Sequence, residues 1–326
     1  MIRVLCTALS VETGAHFKLL RDAGFECNVV DRSLNLWDET VLSNALQGYQ
    51  AVLAGSEPFT PAVLAANPQI RVLSRYGVGF DAINLEACDA QGIVVATTPG
   101  QNHHSVAEHA VAMMMAVGRG FPAYDMQVRR GQWNRVARPR IMGSTLGLLG
   151  LGRIGQAVAT RALGLGMNVV AYDPFPPQAF LTEYRVQMVP LEHIWEKSDV
   201  ISLHMPAGPD TRHIVNRTSL SRMKDGAVLI NTSRGPLVDE SALIDALKSG
   251  KLRGAGLDVF EVEPLPVSSP LLMMENVLLS GHIAGLDNES HDDTCAMAAQ
   301  TIITLSQGGW PEGCIQNLKG VTDWKW

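Results

Sequence analysis

The feature that most restricts the fold of this chain is Gly150-Leu-Gly-Arg-Ile-Gly155. It follows the apolar run Leu146-Gly-Leu-Leu149 directly and precedes a second run, Asn168-Val-Val-Ala-Tyr172, closed by Asp173. The order spells strand, glycine turn, helix, strand, acid. Gly150 permits the tight turn, Gly152 lets backbone amides approach a pyrophosphate, and Gly155 lets the new helix pack closely on its strand. The anion then sits at a helix N-terminus, where unpaired N–H groups and the helix dipole favour negative charge. Asp173 stands eighteen residues past Gly155, where a carboxylate accepts hydrogen bonds from a ribose diol and repels a 2′-phosphate. The pattern predicts a dinucleotide-binding unit that prefers NAD to NADP. The alternative for such a segment is a tight βα turn followed by an unrelated surface acid.

A chain of 326 residues accommodates two ordinary domains, each with its own core. Hydrophobic residues make up 46% and charged residues 18%, which excludes a disordered or fibrous chain. The net charge of −6 argues against nucleic acid held through phosphate contacts. Five cysteines (Cys6, Cys27, Cys88, Cys295, Cys314) are scattered, odd in number and without CxxC spacing, as expected of reduced thiols rather than a disulfide framework or a zinc site. The N-terminal apolar stretch is too short for a signal peptide, and no run approaches the ~20 residues of a membrane span. A cytoplasmic protein with no membrane partner is expected.

Before the glycine fingerprint, short apolar runs alternate with helical segments. The strands are Val4-Leu-Cys6, Cys27-Asn-Val-Val30, Ala51-Val-Leu-Ala54, Arg71-Val-Leu-Ser74 and Ile93-Val-Val-Ala96, with a helix over about 13–23. This βαβ series implies a small parallel sheet of its own. Pro99-Gly100 marks a crossing loop, and Ser105 with Glu108 reads as a capping box opening a long Met-rich helix. After the fingerprint, Val200-Ile-Ser-Leu203, Ala227-Val-Leu-Ile230, a helix over 240–248, Gly254-Ala-Gly-Leu-Asp258 and Val277-Leu-Leu279 resume the alternation. A last helix over 288–306 leaves a tail too short to fold alone, so it is expected to return to the first domain. The fold class is therefore α/β, with two Rossmann-like or flavodoxin-like parallel-sheet domains and an interdomain active-site cleft. Residues 1–98 with 289–326 form a discontinuous substrate-binding, catalytic domain, and 99–288 form the NAD-binding Rossmann domain.

Open α/β sheets place ligands at the carboxyl ends of their strands, and three segments of the second domain carry reactive groups there. Asn231-Thr-Ser-Arg-Gly235 presents Arg234, a planar fork suited to a carboxylate and a neighbouring carbonyl. Asp258-Val-Phe-Glu-Val-Glu-Pro264 places Glu263 in a loop, and Ser280-Gly-His-Ile-Ala-Gly285 places His282 just after a strand. Each taken singly is as consistent with a structural role. Together they suit hydride chemistry at an alcohol carbon, which requires a group to take or return the hydroxyl proton near neutral pH. A carboxylate on the other ring nitrogen of His282 fixes the tautomer and supports the protonated form. Asp258 is placed to bond a nicotinamide carboxamide.

These motifs, in this order, resemble the signatures of the D-isomer-specific 2-hydroxyacid dehydrogenases, from Ser74-Arg-Tyr-Gly-Val-Gly-Phe-Asp81 to His282-Ile-Ala-Gly285. The resemblance implies that Arg234, Glu263 and His282 are catalytic. It also implies that the loop Tyr76-Gly-Val-Gly79 holds the substrate carboxylate through Val78 and Gly79. Cofactor contacts carry over to Arg153, Ile154, Asp173, Met205, Thr232, Ser233 and Asp258, beside Gly150, Gly152 and Gly155. It further implies a homodimer built around the cofactor domain, which suits the Met-rich helix.

Within the family, Arg75 with Gly77-Val-Gly79, Leu191-Glu-His-Ile-Trp195 and Val238-Asp-Glu-Ser-Ala-Leu243 look like the 3-phosphoglycerate dehydrogenase branch, which makes 3-phosphoglycerate the leading substrate and Arg75 a substrate contact. Three departures are visible. Ala54-Gly-Ser-Glu-Pro58 has no arginine, and Glu57 would repel a phosphate if it faced the cleft. Gly281 replaces a usual proline. No regulatory domain follows residue 326, so feedback through one is not expected. Arg129, Arg130, Arg135, Arg138 and Arg140 form a basic segment that supplies phosphate contacts across a dimer or else a solvated arm. Alternatives are a glyoxylate or hydroxypyruvate-type reductase, or an NAD-sensing corepressor-like protein on the same fold. No tyrosine has a lysine four residues on, which excludes the short-chain mechanism, and the acid Glu263 excludes a formate-type site. His103, His104 and His109 lack supporting ligands and read as a helix start, so no metal is expected.

Overall fold

The computed structural model describes residues 2–8, 14–321 and 323–326. Thr13, placed by the sequence at the start of the first helix, lies outside the described residues. The chain divides into two compact units, Met1–Asn102 with Asp287–Trp326, and His103–Leu286.

The first unit is a five-stranded sheet of β1 (Arg3–Cys6), β2 (Glu26–Val29), β3 (Ala51–Ala54), β4 (Val72–Arg75) and β5 (Val94–Ala96), in the order β2-β1-β3-β4-β5, every pair parallel. Successive residues of a strand point to opposite faces, and both faces are apolar here. Leu5, Val52 and Leu73 join a core with Leu42, Leu64 and Phe59, while Val4, Ala51 and Val72 join another with Leu20, Ile302 and Leu305. That two-sided burial is why the strands read as unbroken apolar runs. The helix Asn288–Ser306, capped by Asp287 accepting from the Ser290 N–H, covers the second of these faces. Beyond it the chain pairs Ile315 with Ala96 and lays Trp324 on the Gly92 carbonyl.

The second unit holds β6 (Thr145–Leu149), β7 (Asn168–Tyr172), β8 (Gln187–Met188), β9 (Val200–Leu203), β10 (Ala227–Asn231), β11 (Leu252–Leu257) and β12 (Val277–Leu279). Their order is β12-β11-β10-β9-β6-β7-β8, again all parallel. Helices cover both faces. Ala107, Met113, Ala157 and Ala162 pack with Leu146, Leu148 and Val228 on one, and Ile194, Trp195, Leu220 and Leu243 pack with Leu149, Ile201 and Leu229 on the other.

The helix His103–Arg119 corrects two expectations. It starts two residues before Ser105, whose hydroxyl donates instead to the Ala284 carbonyl at 2.8 Å, and Glu108 pairs with Arg161 at 2.9 Å, so no capping box forms. His109 stands two turns inside the helix rather than at its start. Met113 and Met114 are buried in the unit's own core. Two glycines of β11 make the approach close: a Cβ on Gly256 would lie 2.9 Å from Met113 Cβ, and one on Gly254 would lie 2.7 Å from Val117 Cγ1. Among the described residues no helix is long and apolar enough to cross a membrane.

Candidate active site

Three loops leave strand ends on the carboxyl side of the second sheet. β10 ends in the buried Asn231, whose side chain shapes the turn beyond it: Oδ1 accepts from the Ser233 N–H at 3.0 Å and Nδ2 donates to the Arg234 carbonyl at 2.9 Å. Arg234 emerges half-buried from this turn, with Nη1 donating to the Ser233 carbonyl at 2.7 Å. The next residue, Gly235, touches the loop after β11. A Cβ there would sit 1.8 Å from the Phe260 carbonyl oxygen, so only glycine lets the two loops meet.

In that second loop Glu263 folds back, with Oε1 accepting from the Phe260 N–H at 3.0 Å and Oε2 lying 2.7 Å from His282 Nδ1. Burial pushes the Glu263 carboxyl up. The bond to His282 and its charge, the Phe260 N–H and the charge of Arg234 outweigh that push and hold the group below the ordinary carboxylate range. With Nδ1 on the carboxylate, His282 Nε2 has no partner among the described residues, and the side chain is 46% exposed. Arg234, Glu263 and His282 thus act on one another in the second unit.

His282 has φ 56°, the left-handed region, which costs a side-chain-bearing residue roughly 1 kcal/mol. Asp258, at the end of β11 and fully buried, holds it there. Its carbonyl accepts from the His282 N–H at 2.7 Å, Oδ1 accepts from the Ile283 N–H at 3.0 Å and from the Ser280 hydroxyl, and Oδ2 accepts from the Ala284 N–H at 2.8 Å. Ser280 Oγ in turn lies 2.9 Å from His109 Nε2. Both oxygens of Asp258 are engaged in the loop that carries the histidine. The signal missed in the sequence was Ser280 two residues before His282, a hydroxyl placed to reach back to the preceding strand's acid.

The other expected cofactor residues gather at the carboxyl ends of β6, β7, β9 and β10. Gly150 has φ 96°, and a Cβ on it would meet the His204 carbonyl at 2.4 Å; one on Gly155 would meet the Gly150 carbonyl at 2.2 Å. Gly152 differs from both, since its Cβ direction is open and it begins the helix Arg153–Gly164 with no side-chain cap. An uncapped helix start with room above it is where a pyrophosphate fits. Arg153 and Ile154 occupy that first turn. Asp173 braces the glycine turn, Oδ2 accepting from the Leu151 N–H and Oδ1 from the Phe175 N–H, each at 2.7 Å, and each oxygen retains a lone pair for a ribose hydroxyl. Met205 takes the Ser233 hydroxyl on its carbonyl at 2.5 Å, and Thr232 has a buried Oγ1 without a hydrogen-bond partner. Such an orphan calls for a polar ligand atom, so the residues present fit a dinucleotide. His204, half-buried beneath the turn and pushed down to about 3 by desolvation, stays neutral on Ser202. No group of three or more metal-ligating side chains occurs among the described residues.

In the first unit, Arg75 ends β4 and directs Nη1 to the Ala54 and Tyr76 carbonyls. Gly77, at φ 123°, donates to Thr98 Oγ1 at 3.1 Å, and Tyr76 Oη meets His291 Nδ1 at 2.7 Å. The N–H groups of Val78 and Gly79, next along the chain, have no acceptor among the described residues, and Val78 is exposed. The expected basic segment is largely engaged within the second unit: Arg129 pairs with Asp125, Arg130 with Glu275, and Arg138 lies over the Tyr124 ring.

Residues 111–284 match the family described as D-isomer specific 2-hydroxyacid dehydrogenase, NAD binding domain. A glyoxylate reductase of Korarchaeum cryptofilum is 41% identical over 266 residues, covering 80% of each chain. A D-3-phosphoglycerate dehydrogenase of Archaeoglobus fulgidus is 38% identical over 263 residues, covering 80% of this chain but 50% of that one, so the chain spans about half the length of this relative. Among solved structures, D-lactate dehydrogenase from Aquifex aeolicus complexed with NAD and lactic acid superposes with a TM-score of 0.83 at 28% identity, covering 96% of this chain and 98% of the other.

Proposed function

Because the chain belongs to the D-isomer-specific 2-hydroxyacid dehydrogenase family, we propose that it interconverts a D-2-hydroxyacid and its 2-oxoacid with NAD, through Arg234, Glu263 and His282. The observation that carries this reading is the 2.7 Å pair of His282 Nδ1 and Glu263, with the charge of Arg234 felt at the same carboxylate. In oxidation His282 Nε2 takes the hydroxyl proton, and in reduction it returns that proton to the carbonyl oxygen. Glu263 keeps the Nδ1 proton and balances the imidazolium. Arg234 binds the carboxylate and the 2-oxo oxygen. The cofactor would supply the hydride when bound as NADH and accept it when bound as NAD⁺. In the first unit, Val78 and Gly79, through their open N–H groups, and Arg75 are the further substrate contacts of this reading.

Asp173 selects NAD by accepting the ribose hydroxyls. We place the protein in the cytoplasm, its five cysteines being free thiols, and as a homodimer. For the latter the apolar surface is the segment after the helix His103–Arg119, where Phe121 is 59% and Trp133 80% exposed. Candidate substrates are 3-phosphohydroxypyruvate, which the sequence puts first, and glyoxylate, hydroxypyruvate and pyruvate. A panel of these with NADH tests the reading. His282→Ala should lose turnover by a factor on the order of 10²–10⁴ while still binding NADH; near-normal rates in that variant would refute the proton-transfer assignment.

A further inference from the structure

The strand order of the first unit reverses between β1 and β3. Open parallel sheets receive ligands beyond the carboxyl ends of the two strands at such a reversal. Cys6 pairs with Leu53 at the end of these strands, so the groups standing over the crevice are Thr7 and Gly55. Their donors are taken by the chain itself. The Gly55 N–H donates to Glu57 Oε1 at 2.9 Å, and the Thr7 hydroxyl donates to the same oxygen. Glu57 is 2% exposed and Thr7 is fully buried. The carboxylate lies folded over residue 55, where a Cβ would come within 2.5 Å of Oε2 and 3.0 Å of Ala8 Cα, so glycine is required for it to seat. Glu57 therefore does not stand at the surface of the crevice as an incidental charge; it fills the spot to which the donors point.

Two arginines nearby each direct a nitrogen to backbone carbonyls. Arg32 Nη1 donates to the Thr7 carbonyl at 3.4 Å, and Arg75 turns onto the Ala54 and Tyr76 carbonyls. A phosphate carries −1.5 to −2 charges near neutral pH. At this place it would meet a like charge that solvent screens little, and it could take the Gly55 N–H only by stripping a buried carboxylate of its donors.

We propose that Glu57 determines specificity in the first unit by installing the protein's own anion at the sheet's switch point, so that the substrate's end remote from the 2-oxo group is uncharged. The inference rests on the 2-oxoacid reading above. It narrows the substrate class to short unphosphorylated acids such as glyoxylate and hydroxypyruvate.

The test is calorimetric titration of D-glycerate and of 3-phospho-D-glycerate into the protein saturated with NADH, a dead-end mixture in which no turnover is needed. Wild type should bind D-glycerate at least about tenfold more tightly. Glu57→Gln, which keeps length and an acceptor oxygen but not the charge, should narrow that ratio by about tenfold through tighter binding of the phosphorylated acid. Glu57→Asp, which keeps the charge, should hold the ratio within about threefold of wild type and so separates charge from shape. Wild type that binds the phosphorylated acid equally or better, or binds neither acid, overturns the proposal, as does an unchanged ratio in a Glu57→Gln protein of normal melting temperature. If Glu57→Gln does not fold, the wild-type ratio decides. Failure of every 2-oxoacid to oxidise NADH would end the dehydrogenase reading separately, leaving the two affinities to be compared on their own.

Discussion

The two sheets are built alike and treat an anion in opposite ways. Both are parallel and wound on two faces, and both reverse direction beside their first strand, between β1 and β3 in one unit and β6 and β9 in the other. Past β6 the turn ends in Gly152, uncapped and with open space above it, which leaves room for the pyrophosphate proposed to bind there. Past β3 the corresponding donor, the Gly55 N–H, is satisfied by Glu57 from two residues on. Glycine is required at both places for opposite reasons. One makes room for a foreign anion, and the other makes room for a native one. A shared topology thus locates a crevice without dictating its charge preference, which is set by the one side chain near enough to reach the amides.

The contrast can be broken by transplanting it. Gly152→Asp puts a carboxylate at the start of the helix Arg153–Gly164, reproducing in the second unit what Glu57 does in the first. The position has extended backbone geometry and no atom within 4 Å of the new Cβ, so the fold should tolerate it and the cap should, if anything, raise the melting temperature. NADH affinity should fall on the order of a thousandfold, read by fluorescence titration. Retained affinity would mean that no phosphate approaches this turn.

A smaller effect sharpens the division of labour within the second unit. Asp258→Asn disturbs the loop that carries His282 without touching the glycine turn. It should lower kcat by about a hundredfold while leaving NADH affinity within about threefold of wild type. A loss of NADH binding instead would place Asp258 on the cofactor. The smallest expected change is at Asp173. Replacing it with alanine should cut the preference for NAD over NADP by about tenfold in kcat/KM, and unchanged selectivity would show that this acid only braces the turn.

Much of this arrangement was legible in the residues. Strands Asn168–Tyr172, Val200–Leu203 and Val277–Leu279 and helices Glu240–Lys248 and Asn288–Ser306 begin and end where apolar runs and turn residues place them. Arg234, Glu263 and His282 could be picked out because each lies just past a strand, where short-range pattern suffices. The helix start at His103 was misplaced because a serine three residues before a glutamate also arises inside a helix, where Ser105 finds the Ala284 carbonyl far along the chain. The helix Phe121–Arg129 buries no residue and so leaves no apolar stripe to detect. The inward turn of Glu57, the contact of Gly235 with Phe260 and the hold of Asp258 on its loop depend on which strands lie side by side, and local sequence does not encode that order.

The backbone at His282 has a consequence for how variants of this protein would drift. Glycine or asparagine would sit at φ 56° with less local cost than histidine does. A library sorted only for thermal tolerance should therefore accumulate those residues at position 282 and return sturdier proteins that no longer turn over. On the proton-transfer role proposed for His282, sorting for heat resistance and sorting for chemistry pull apart at this one position, and any campaign to harden the protein should hold it fixed.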